Sequence, residues 1–163
     1  MLSISCRGKS MGANHSLSVS EWHRLSLDGT MLPVRTLVGG RSMEPLIRYN
    51  RDYVTIIPLH ESLAEGDIVL FSDPFQKRYV VHRVWTLENE RVLTWGDNCD
   101  RPDAWMTVND IWGKVILIER GKNRITPNAR RGLLFAGFWH VAGRTYRRLR
   151  RTASRAYHGI FSH

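Results

Sequence analysis

The sequence predicts a mainly β protein, a barrel or coiled antiparallel sheet, followed by a basic C-terminal tail that a helix could form. Three observations carry this. Six short runs rich in β-branched residues follow one another: Val34–Val38, Tyr53–Ile57, Asp67–Phe71, Arg78–Trp85, Arg91–Trp95 and Trp112–Glu119. Turn formers separate them, among them Gly39-Gly40, Glu65-Gly66-Asp67, Ser72-Asp73-Pro74 and Gly96-Asp97-Asn98. Helical periodicity stays weak until the tail. Short strands at this spacing are the mark of an antiparallel β domain.

In chain order, residues 1–30 are polar and Ser-rich without a clear period, and read as a loose arm with a short helix near Ser20–Leu27. Residues 31–120 hold all six strands and form the β domain. Gly121–Asn128 contains Gly, Asn and Pro and reads as a linker. It leads into the tail that completes 121–163.

The 163 residues are enough for one domain with a real core, and 42% hydrophobic residues exclude general disorder. Two cysteines, Cys6 and Cys99, make no disulfide framework and are compatible with a reducing compartment. The net charge of +9 is concentrated at one end. Arginines 130, 131, 144, 147, 148, 150, 151 and 155 stand in a stretch without Asp, Glu or Lys. The chain before them is close to neutral.

Such a tail suits an anionic partner. The apolar cluster Leu133, Leu134, Phe135, Phe138, Trp139 and Val141 directly precedes most of these arginines. Together they suit peripheral contact with an anionic membrane through Arg130–Arg155. Docking of the tail as a helix on the β domain is the alternative, and nucleic-acid binding by the arginines a further one. The longest weakly polar run, Gly132–Gly143, falls short of the roughly 20 residues that span a bilayer. The N-terminus shows no apolar signal region. The cytoplasmic side, at most peripheral to the membrane, is the expected location.

Three segments have residues suited to chemistry. In Gly40-Arg41-Ser42-Met43-Glu44-Pro45 a glycine-bearing turn after a strand presents a serine. Such a turn can expose the hydroxyl and direct backbone N–H groups at an oxyanion, although serine in a turn is commonly just a turn residue. Within Arg78–Trp85, period-2 alternation puts Val80, His82 and Val84 on one face and Tyr79, Val81, Arg83 and Trp85 on the other. His82 is then either a satisfied core histidine or a base held on a rigid strand. Thr94–Asp103 brings three aspartates into one loop, where Asp97 or Asp103 can either cap a turn or orient a histidine.

Taken in order, these segments resemble the catalytic domain of the type I signal-peptidase-like serine peptidases, a superfamily shared with SOS-repressor peptidases. Ser42-Met43-Glu44-Pro45 resembles the nucleophile box, Gly66-Asp67-Ile68-Val69 the following strand box, and Val81-His82-Arg83-Val84 the box of the base. Gly96-Asp97-Asn98 with Asp103 resembles the acidic box, and Gly113-Lys114-Val115 the closing strand. The resemblance spans about Val38 to Ile118, half the chain. Histidine at position 82, where bacterial signal peptidases carry lysine, is similar to the archaeal and endoplasmic-reticulum type.

The resemblance implies Ser42 as nucleophile, His82 as general base and Asp103 as the carboxylate that orients it, with Asp97 the rival for that role. It implies no cofactor or metal. The implied activity is cleavage of a peptide or membrane-associated precursor through an acyl-enzyme. Self-cleavage of the SOS-repressor kind and a non-catalytic binding module are the alternatives. Burial and a nearby carboxylate act oppositely on His82, so a titration near neutrality is expected. Lys77 and Lys114 are the rival bases.

Overall fold

The computed structural model describes residues 4–5, 18–28, 32–59, 62–73 and 78–142. They form an antiparallel sheet of nine strands, β1 (Ile4–Ser5), β2 (Val34–Leu37), β3 (Tyr53–Pro58), β4 (Ile68–Asp73), β5 (Arg78–Glu88), β6 (Arg91–Trp95), β7 (Met106–Thr107), β8 (Ile111–Arg120) and β9 (Asn123–Ile125). Helix α1 spans Val19–Leu27, and a second helix, α2, spans 129–142. Lys77, Arg144 and every later arginine lie outside the described residues.

The strands run β1-β2-β3-β8-β4-β5-β6-β7, with β9 added on β8. The sheet is therefore coiled and open, not a barrel. Its two end strands have two residues each and do not pair with one another. Coiling comes from register shifts at Thr55/Ile56, Leu70/Phe71 and Val84/Thr86, because a bulge bends its strand and increases the local twist. The ten-residue β8 is the hub, pairing with β3, β4 and β9.

Two apolar clusters hold the coil together. The larger joins Val34, Met43, Ile47, Val54, Ile56, Ile68, Leu70, Val81 and Ile118 with Val19 and Trp22 of α1. The smaller contains Val69, Phe71, Val80, Val84, Val92 and Ile111. Burying each such side chain contributes about 1.5–3 kcal/mol.

The short helix expected near Ser20–Leu27 is α1, Val19–Leu27. Ser18 and Glu21 form a capping box that starts α1, and Trp22, 1% exposed, anchors it in the core. One expectation needs correction: the Gly121–Asn128 segment is not simply a linker. Gly121 at φ +60 turns the chain back after β8, and β9 returns along β8 with Ile125 against the larger cluster.

Helix α2 docks. Ala136 is fully buried and His140 is 2% exposed, its ring stacked on Trp95 at 4.0 Å and edge-on to Trp85 at 5.3 Å. Gly66, at φ +93, meets the Ala129 carbonyl so closely that a side chain there would collide with it. The other side of α2 leaves Leu134, Phe138 and Val141 at least 66% exposed. No described helix is long and apolar enough to cross a membrane.

Candidate active site

The chain between β2 and β3 builds the serine turn. Val38 closes this loop at both ends of its peptide, donating to the Asp52 carbonyl at 3.3 Å and accepting from the Asn50 N–H at 3.0 Å. Inside it, the Glu44 N–H donates to the Arg41 carbonyl and the Ile47 N–H to the Met43 carbonyl. Met43 and Ile47 fill the larger cluster, and Ser42 beside them stays partly exposed. A carboxylate holds the turn from below. Asp52 accepts from the Arg48 N–H at 2.9 Å and pairs with Arg120 at 2.6 Å, while Arg120 Nη2 also donates to the Leu46 carbonyl.

His82 sits on the central part of β5, opposite Val69 of β4. Its neighbours along the strand, Val80 and Val84, belong to the smaller cluster, and Phe71 meets the ring edge-on at 6.1 Å. The ring is 4% exposed. Its Nδ1 lies 2.6 Å from Asp103 Oδ2. Asp103 is held in turn: its Oδ2 accepts from Thr94 Oγ1 at 2.7 Å, and its N–H donates to the Thr94 carbonyl at 2.9 Å. A strand residue thus fixes the carboxylate that fixes the ring.

Asp97 is not at the histidine. It receives Arg83 in a bidentate pair, Nε to Oδ1 at 2.9 Å and Nη2 to Oδ2 at 2.7 Å, and Arg83 Nη1 donates to the Gly66 carbonyl at 2.9 Å. Both residues are at most 1% exposed, with Gly132 of α2 packed over the guanidinium. Alternation explains the division. His82 and Arg83 are consecutive on β5 and point to opposite faces, so each selects a different aspartate from the same loop. Lys114 is occupied as well, pairing with Asp67 at 2.9 Å.

The loop after β6 joins the histidine to the serine turn. The Asn98 N–H donates to the Ser42 carbonyl at 2.7 Å, and Asn98 Nδ2 donates to the Arg41 carbonyl at 3.2 Å. Gly96 is required at the junction. A side chain there would begin 2.8 Å from His82 Nε2, 2.8 Å from the Ser42 carbonyl oxygen and 2.7 Å from Cys99 Sγ. Ser42, His82 and Cys99 line one cleft of about 790 Å³ with Gly39, Gly40 and Val80.

Burial of the ring lowers the His82 pKa, but side-chain hydrogen bonds to Asp103 and Cys99 and the charges of both outweigh it, raising the value to about 9. The expectation of titration near neutrality counted burial and one carboxylate. Cys99, on the other side of the ring, was the missing contributor. Its only sequence signal was its place inside the acidic loop, three residues after Gly96. Thr94 and Arg83 were also missed as site residues, each standing inside a strand segment that reads as ordinary sheet. Comparisons with known protein families, characterised proteins and solved structures returned no match.

Proposed function

We propose that the chain is a serine endopeptidase of the signal-peptidase-like kind, acting on a peptide or precursor protein through an acyl-enzyme. One observation carries the reading. His82 is backed by Asp103 at 2.6 Å and shares a cleft with Ser42, 40 positions earlier in the chain. A core histidine needs one hydrogen-bond partner; this one also borders a cavity with a hydroxyl and a thiol.

In the proposed reaction, His82 Nε2 takes the Ser42 proton as Oγ attacks the scissile carbonyl. Asp103 holds Nδ1–H, which fixes the tautomer and stabilises the imidazolium. The Ser42 backbone N–H supplies an oxyanion donor. The imidazolium then protonates the leaving amine, and water repeats the cycle on the ester. Among the described residues, nothing beyond their chain neighbours lies within 4 Å of where side chains on Gly39 and Gly40 would start, which leaves room for an extended peptide beside the serine turn.

The test is capture of Ser42 by a fluorophosphonate, which reports an activated serine without a known substrate. Peptide mass spectrometry is expected to find the adduct on Ser42, with at least a hundredfold slower capture in His82→Ala. Wild type that is captured no faster than His82→Ala identifies a non-catalytic module. A chain that cuts itself with a rate constant independent of its concentration identifies the repressor-like alternative.

A second reading concerns where the reaction takes place. Leu134, Phe138 and Val141 form an exposed apolar stripe on α2, and arginines flank it in the sequence. We propose that this face rests on an anionic bilayer, where each nearby arginine contributes about 1 kcal/mol. Flotation with phosphatidylglycerol vesicles is expected to carry wild type and to lose the Leu134→Ser/Phe138→Ser variant. Equal flotation of both, or equal binding to phosphatidylcholine vesicles, overturns this.

A further inference from the structure

Among the described residues, Cys99 is a free thiol, partly exposed, in the cleft beside Ser42. It is not an isolated cysteine. Cys99, His82 and Asp103 stand in a row: the carboxylate holds Nδ1 at 2.6 Å, and Sγ stands on the Nε2 side of the same imidazole. Sγ and Nε2 both lie within 3 Å of the one point where a Gly96 side chain would start. The Cys99 N–H donates to the Gly96 carbonyl at 2.9 Å, so the thiol is carried by a tight turn rather than a long loop. Among the described residues, Arg41 and Ser42 on the serine turn and Arg78 and Tyr79 on β5 are the other charged or polar groups that line this cleft. Asp97 is committed to Arg83.

We propose that Cys99 is a modification site for hydroperoxides and soft electrophiles, and that its modification shuts the cleft by occupying the approach of Ser42 to His82 Nε2. The imidazole that the proposed reaction assigns to the serine also stands beside Sγ and can take the thiol proton, and the thiolate is the reactive form of cysteine. With a hydroperoxide, the thiolate sulfur attacks the nearer oxygen. An S–O bond forms and the O–O bond breaks. The leaving oxygen departs as water or alcohol, carrying a proton from the imidazolium. Sulfur is oxidised by two electrons to a sulfenic acid and the peroxide is reduced. A small dithiol reverses the step by way of a mixed disulfide. With a haloacetamide, a C–S bond forms and halide leaves.

The thiol chemistry rests on the His82–Cys99 contact, and only its consequence rests on the peptidase reading. The two are therefore measured separately. Peptide-resolved mass spectrometry follows iodoacetamide alkylation of Cys99 at pH 7, with Cys6 as an internal comparison. Alkylation is expected to be at least tenfold slower in His82→Ala and in the conservative His82→Gln than in wild type. Equal rates in all three proteins overturn the proposal, whether or not Ser42 is captured by fluorophosphonate.

The second arm reads the Ser42 capture rate with and without hydrogen peroxide. Wild type is expected to lose at least nine-tenths of its rate and to regain it with dithiothreitol. The treated-to-untreated ratio of Cys99→Ala is expected to stay near one. The same peroxide loss in Cys99→Ala overturns the proposal and leaves the serine reading intact.

Discussion

Asp103→Asn is expected to slow Ser42 capture by about four orders of magnitude, with Asp97→Asn affecting that rate far less. An asparagine in place of Asp103 keeps the size but can present its amide to Nδ1, favouring the tautomer with its proton on Nε2, where the base must be bare. The carboxylate has no substitute among the described groups, since Asp97 is turned to Arg83 on the opposite face of β5. The pH profile separates loss of the carboxylate from general damage. His82 with a pKa of about 9 is protonated through neutrality, and a general base must be neutral. Wild-type capture should therefore rise about tenfold per pH unit from pH 7 and level off near pH 9. In Asp103→Asn the largest raising contribution is gone and burial acts against Cys99 alone, so the inflection moves to lower pH. An inflection unchanged by Asp103→Asn would show that another group titrates.

Strand positions were legible in the sequence wherever local pattern decides them. Val34–Val38, Tyr53–Ile57 and Arg91–Trp95 are observed within one residue, because β-branched runs bounded by turn formers leave the backbone few alternatives. The face of β5 that holds His82 followed from period-2 alternation alone. What local pattern could not reach was long-range pairing. β1 and β7 have two residues each and exist only because β2 and β6 present edges to them. β9 was hidden in a segment whose Gly and Pro read as a linker, although Gly121-Lys122 is also a hairpin turn. Barrel or open sheet depends on whether the end strands meet, which no short-range signal encodes. At the site, the residue types were readable but their assignment was not. Which aspartate meets His82 depends on how a ten-residue loop folds over β5, and that depends on Arg83, a residue that reads as ordinary strand.

Arg83 and Asp97 are therefore where the largest loss of stability is expected. Both are out of water, and the guanidinium bonds also reach the Gly66 carbonyl. Truncating Asp97 to Ala leaves Arg83 charged, buried and half-partnered, which costs roughly 3–5 kcal/mol. For a domain of this size that is a fall in Tm on the order of 10 °C or more. The damage should spread in a definite direction. Asp97 starts the segment whose next residue, Asn98, holds the Ser42 and Arg41 carbonyls, and Arg83 lies under Gly132 of α2. Hydrogen exchange in Asp97→Ala is expected to speed up first in the serine turn and at the start of α2, before the β3–β8 ladder. A combined Arg83→Met/Asp97→Leu variant, which removes both charges and keeps apolar volume, is expected to regain much of the lost stability. If urea unfolding instead places the double variant below Asp97→Ala, the pair contributes net stability beyond the cost of an orphaned charge. If Asp97→Ala unfolds like wild type, water reaches Arg83 and the pair is not the anchor of this loop.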